Sequence, residues 1–191
     1  MYRLLPRRAI FLLALCTSSV TFIPASRMAA EKAPHAVNLT LHDLNGKRVS
    51  LRDLRGKLVV LNLWATWCEP CNAEMPLLVE AAQKYQKQGV VFIGASLDDA
   101  QTQGKIPAFL DKYHVTYTIL TGTTADDLKR LGMGIAVPGT AFIDANGVIR
   151  ARILGQMRPQ ELQDRVDWML RGEAGSAPPA LVTHLDNLDK K

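Results

Sequence analysis

Cys68 and Cys71 stand two residues apart in the run Trp64-Ala65-Thr66-Trp67-Cys68-Glu69-Pro70-Cys71, and the one other cysteine, Cys16, lies far upstream. Two thiols at this spacing can exchange a disulfide with a partner. A thiolate attacks a disulfide sulfur, a mixed disulfide forms, and the neighbouring thiol resolves it. As a structural staple the pair is poor, because bridging so few residues removes little chain entropy. The flanks decide where the sulfurs sit. The apolar run Leu58-Val59-Val60-Leu61-Asn62-Leu63 precedes the motif and suits a strand buried on both faces. Leu77, Leu78, Ala81, Ala82 and Tyr85 follow it at helical spacing. Cys68 therefore opens a helix, where backbone N–H groups and the positive dipole end stabilise a thiolate. Cys71 lies one turn inward as the resolving thiol. Pro70 has no N–H to lose in that first turn. Glu69 puts negative charge beside the thiolate and disfavours it, which points away from a strong oxidant.

Other uses of two thiols compete. A closed zinc site needs four ligands, and no second Cys or His cluster accompanies this pair. His35, His42, His114 and His184 are scattered without ligand spacing and read as surface or linker residues. Covalent haem attachment needs Cys-x-x-Cys-His, and Asn72 follows Cys71. A thiol peroxidase, with Cys68 attacking peroxide, is an enzymatic alternative that lacks the Thr-x-x-Cys surround, because Thr66 is only two residues before Cys68. A metallochaperone holding copper(I) between two thiolates is the non-enzymatic one. A copper titration set beside an insulin-reduction assay separates these readings.

The elements that must position the motif follow from the pattern. Val37–Leu41 and Arg48–Leu51 alternate around the turn Asp43–Gly46 and predict a β-hairpin. The motif helix is expected to run to about Gln88, with Gly89 ending it and Pro76 kinking it. Val90–Ala95 reads as a second buried strand, Pro107–Tyr113 as a helix, Tyr117–Leu120 as a short strand and Ala125–Leu131 as a short helix. Ala141–Asp144 and Val148–Ile153 form a second hairpin around Asn146-Gly147, and Pro159 opens a last helix to Arg171. The order implies an α/β sandwich around a mixed sheet. The tail 172–191, with Gly-Ser-Ala-Pro-Pro, reads as a mobile extension, in which Leu181, Leu185 and Leu188 could form a short docking helix.

The chain of 191 residues carries a net charge of +5. Arg3, Arg7, Arg8 and Arg27 supply four of those charges, which leaves 5 − 4 = +1 for the rest. Nothing here makes the clustered basic face that nucleic acid requires. Arg3, Arg7 and Arg8 precede an uncharged stretch from Ala9 to Ser26. A basic start before an apolar run is the pattern of an export signal. Residues 1–30 are thus read as a signal peptide or an N-terminal membrane anchor, and the protein as extracytoplasmic, periplasmic, soluble after cleavage or tethered to the inner membrane.

The run Val60–Cys71 followed by Glu74-Met75-Pro76 resembles the TlpA/ResA-like branch of thioredoxin-fold proteins. The resemblance extends from about Val37 to Leu170. It takes in the N-terminal hairpin, a central insertion after the second core strand, and Val137-Pro138-Gly139-Thr140 before Ala141–Asp144. It implies a thioredoxin fold over 37–171 with that hairpin and insertion, and an exported or membrane-tethered reductase with no cofactor beyond the Cys68–Cys71 disulfide and no metal. Some members act in cytochrome c maturation and others in copper-site assembly. By resemblance the partners are protein disulfides, such as an apocytochrome c or a copper-site protein, and a membrane electron donor of the DsbD/CcdA type. Cys68 matches the nucleophile, Cys71 the resolving thiol and Pro138 a cis-proline set against the pair, which exposes the backbone of Val137 to a substrate strand. Glu74 matches an acidic residue facing the pair. Asn62 stands where cytoplasmic thioredoxins carry a buried Asp, which makes Glu74 the candidate proton carrier. Trp67, Glu69, Pro70 and Val137 are the candidate substrate-binding residues.

Overall fold

The computed structural model describes residues 36–185. The leader and Leu188 lie outside them.

Strand β3 (Val59–Trp64) is buried along its whole length. It needs neighbours on both edges and cover on both faces, and it has them. It pairs in parallel with β4 (Val91–Ser96) and antiparallel with β6 (Gly139–Ile143). On β4's far side lies β5 (Thr118–Thr121), also parallel. The hairpin of β1 (Thr40–Asp43) and β2 (Arg48–Ser50) extends that edge, and β7 (Ile149–Leu154) extends the other. With a last strand described below, the sheet order is β2-β1-β5-β4-β3-β6-β7-β8. Alternate β3 residues face opposite layers. Val60 packs with Leu78 and Tyr85 of α1 (Glu69–Gln86) and Val166 of α4 (Pro159–Leu170). Leu61 and Leu63 pack with Leu128 of α3 (Ala125–Arg130) and with Leu39 and Leu41. A third cluster joins Trp64, Cys68 and Cys71 to Ile106 of α2 (Ile106–Tyr113), where Trp64 meets Phe109 at 4.6 Å between ring centroids. This is the thioredoxin fold, with the N-terminal hairpin and the insertion after β4.

Helix α1 runs through Pro76 to Gln86. The expectation for the tail needs correction: Leu181–Thr183 forms β8, parallel to β7 in the register Arg152↔Leu181, Ile153↔Val182 and Leu154↔Thr183. The domain therefore runs past residue 171. The physical reason lies far away in sequence. Arg165 of α4 is 2% exposed, and its guanidinium donates to the Pro179 carbonyl at 2.8 Å and to the Glu161 carbonyl at 2.9 Å. Burying a charge is costly unless its donors find partners; the tail accepts from one guanidinium nitrogen, while Nε has no hydrogen-bond partner among the described residues.

Candidate active site

The redox loop begins where β3 ends. Asp98, beyond the end of β4, is buried and accepts the Thr66 backbone N–H at 2.9 Å, the Thr66 hydroxyl at 2.5 Å and the Ser96 hydroxyl at 2.7 Å. Burial opposes its charge, yet these donors outweigh burial and hold the carboxyl below the ordinary aspartate range. The ionised side chain thus clamps the residue two before Cys68. No spacing in the sequence signals this, because Ser96-Leu97-Asp98 reads as an ordinary strand end.

Cys68 is the N-cap of α1 with extended backbone (φ −89°, ψ 105°), and its sulfur accepts the Cys71 backbone N–H at 3.2 Å. Pro70 occupies the first turn. Cys68 and Cys71 form a disulfide with 5.2 Å between Cα atoms. In this state Cys68 is 5% exposed and Cys71 is more deeply buried.

Glu74, one turn after Cys71, is 1% exposed. It accepts from Asn62 Nδ2 at 2.8 Å and from the Met157 backbone N–H at 2.7 Å, while Asn62 also donates to the Thr140 hydroxyl at 3.0 Å. Asn62 and Thr140 face each other across β3 and β6. Desolvation is the largest influence on Glu74 and exceeds the opposing influence of its polar neighbours Met157, Asn62 and Thr140, so its pKa rises to about 7. Such a carboxyl can take up and release a proton near neutrality. The contacts of Asn62 and Met157 with this carboxyl leave no signal in the sequence.

The Val137–Pro138 peptide bond is cis, and Val137 packs against the cluster that holds Cys68 and Cys71. A groove of about 630 Å³ opens beside it. Glu69, Pro70, Val137, Pro138, Arg158 and His184 are among the residues that line it. Trp67, a candidate lining residue, is not among them; it stands 58% exposed on the loop before Cys68, and Ile135, on the loop before Pro138, is 79% exposed. His184, read as a surface residue, is a groove wall instead. Among the described residues no group of three or more His, Cys, Asp or Glu side chains is placed to hold a metal ion.

Known proteins resemble this chain in sequence and fold. The Redoxin family matches residues 28–167. The thiol-disulfide oxidoreductase ResA of Geobacillus thermodenitrificans is 33% identical over 170 residues, covering 86% of this chain and 95% of that protein. The chain belongs to the ResA/TlpA-like branch of the Redoxin family. ResA of Bacillus subtilis is 29% identical over 90% of this chain and 96% of its own. Among solved structures, a Chlorobium tepidum protein described as a thiol:disulfide interchange protein DsbE has a TM-score of 0.63 and 26% identity, covering 72% of this chain and 96% of its own. A secreted Mycobacterium tuberculosis disulfide oxidoreductase homologous to DsbE has a TM-score of 0.57 and 28% identity, covering 68% and 94%. As a ResA/TlpA-like protein the chain is a protein disulfide oxidoreductase, and its two described cysteines are the pair that can carry the exchange.

Proposed function

We propose that this chain is an extracytoplasmic reductase of protein disulfides. The buried Glu74 carboxyl, on the redox helix one turn after Cys71, carries the reading. With Glu69 it puts two acidic side chains on the helix that bears both cysteines, and negative charge near a thiol opposes a stable thiolate. A less stable reduced form makes the pair a better electron donor.

In the forward step the Cys68 thiolate attacks a substrate sulfur. A Cys68–substrate disulfide forms, the substrate S–S bond breaks, and one substrate thiolate leaves. Cys71, as thiolate, then attacks the Cys68 sulfur. The Cys68–Cys71 bond forms, the mixed disulfide breaks, and the second substrate thiolate leaves. Two electrons pass to the substrate and both protein thiols end oxidised. Glu74 takes the Cys71 proton and releases it toward the departing thiolate. The groove along Val137 and Pro138 seats the polypeptide around the reactive disulfide. The basic and apolar leader supports an extracytoplasmic site, cleaved or anchored. There the pair needs renewed electrons, which a membrane donor of the DsbD/CcdA type supplies. Apocytochrome c or a copper-site protein is the substrate class.

The test is insulin reduction followed by turbidity, together with the reduction potential of the pair. Catalysed precipitation and a potential nearer thioredoxin's than a strong oxidant's, about −270 against −120 mV, are expected. Failure to reduce insulin, or a potential at the oxidising end, contradicts the reading.

A further inference from the structure

One residue lining the groove, His184, comes from near the end of the described residues. β8 brings His184 there, and three features show that it is fixed in place. The His184 backbone N–H donates to the Leu154 carbonyl at 2.7 Å, next to Gly155, whose own N–H donates to the Pro138 carbonyl at 2.8 Å. The backbone order Pro138–Gly155–His184 is therefore a ladder from the redox loop to the tail. Gly155 permits it: at φ +89° it adopts a conformation open to glycine, and an added Cβ would lie 3.1 Å from His184 backbone and side-chain carbons. The imidazole is held from the other side. Its Nε2 lies 2.9 and 3.0 Å from the Glu161 carboxylate oxygens, and that carboxylate also accepts the Arg158 backbone N–H at 2.8 Å. The buried Arg165 anchors the approach at Pro179. Fixing a chain end costs backbone and side-chain entropy at every ordered residue, so this docking is a built feature and not a tail resting on a surface.

We infer that β8 is part of the substrate site, and that His184 is a specificity-determining residue selecting polypeptide disulfides over small ones. The inference rests on the reductase reading above. Its occupant is the extended polypeptide flanking the substrate's reactive cysteine. One observation favours that occupant. The groove is lined by Glu69 and Pro70, which stand between the two cysteines, by Val137 and Pro138, and by Arg158 and His184, so a chain engaged at Val137 by strand-like pairing passes the tail residue. A small disulfide reacts at the pair without reaching Arg158 or His184, whereas a polypeptide makes both contacts.

The experiment compares full-length protein, His184→Ala and a chain stopped after Gly175, each assayed with insulin and with the small aromatic disulfide DTNB. The ratio of kcat/KM for insulin to that for DTNB is the readout, with the reduction potential measured on each variant. For both variants the ratio should fall by about fivefold or more, the size of one modest contact, while the potential stays at the full-length value. An unchanged ratio in an active His184→Ala protein overturns the inference, and so does a fall that tracks a shift in potential. His184→Ala keeps the backbone bond to Leu154, so it decides the matter even where the shortened chain fails to fold. Absence of insulin reduction by the full-length protein contradicts the reductase reading itself, and the inference falls with it.

Discussion

The Glu74 carboxyl accepts the Met157 backbone N–H at 2.7 Å, which ties the redox helix to a segment that lines the groove. The buried carboxyl is thereby joined to a residue that lines the groove. The same carboxyl holds Asn62, at the position where cytoplasmic thioredoxins carry an acid of their own.

Replacing Glu74 with Gln removes the charge and keeps the size. The Cys68 thiol pKa should then fall, because a nearby negative charge disfavours the thiolate. Thiolate absorbance against pH, recorded for both reduced proteins, measures it. Superimposed curves would assign Glu74 a purely structural role.

Glu74 also links stability to pH. Its pKa is about 7 in the fold against 4.5 for an ordinary glutamate, so between those values the folded state binds more protons than the unfolded state. Stability from this group therefore falls as pH rises through that window, by about 2 kcal/mol from pH 5 to pH 8. Urea titrations of both proteins at the two pH values should show the wild type losing that much more than Glu74→Gln. Parallel losses would contradict a raised pKa.

Asp98 behaves in the opposite sense. Its folded pKa is lowered, so its contribution is present above the unfolded value of 3.8 and is lost as pH falls through the folded value. Asp98→Asn leaves a Thr66 donor unsatisfied and should cost about 1–3 kcal/mol at neutral pH. Its acid-unfolding profile should also lose a component the wild type shows. Denaturant midpoints across the acid range up to neutrality test both, and a neutral substitution would dismiss the clamp on the redox loop.

Gly155→Ala should release the tail. The residue sits at φ +89° with His184 atoms 3.1 Å from a new Cβ, and a strained alanine costs about 1 kcal/mol or more. Limited proteolysis read by mass spectrometry should cut residues 172–184 faster than in wild type. Equal rates would mean that β8 does not depend on this close approach.

Much of the fold is legible in the sequence because its signals are local. The apolar run at residues 58–63, the helical spacing after Cys68 and the turns at Gly46 and Asn146-Gly147 each fit within a short window. The cysteines are legible for the same reason. β8 is not: three residues carry too little periodicity, and they follow a Gly/Ser/Pro stretch that resembles a linker. What makes Leu181–Thr183 a strand is the free edge of β7 and a guanidinium on α4. His184 is misplaced with it. Asp98 and Asn62 act through partners 32 and 12 residues away, and Glu74 through a backbone N–H 83 residues on. Such contacts leave no mark on sequence spacing.

Everything above depends on Cys68 attacking and Cys71 resolving. The direct measurement uses Cys71→Ser and Cys68→Ser proteins, each incubated with a disulfide-bonded polypeptide and analysed by intact-mass and peptide mass spectrometry. Cys71→Ser should accumulate a stable mixed disulfide through Cys68, because the thiol that would resolve it is gone, and Cys68→Ser should accumulate little. Equal trapping by both proteins, or trapping through Cys71 alone, would contradict the account.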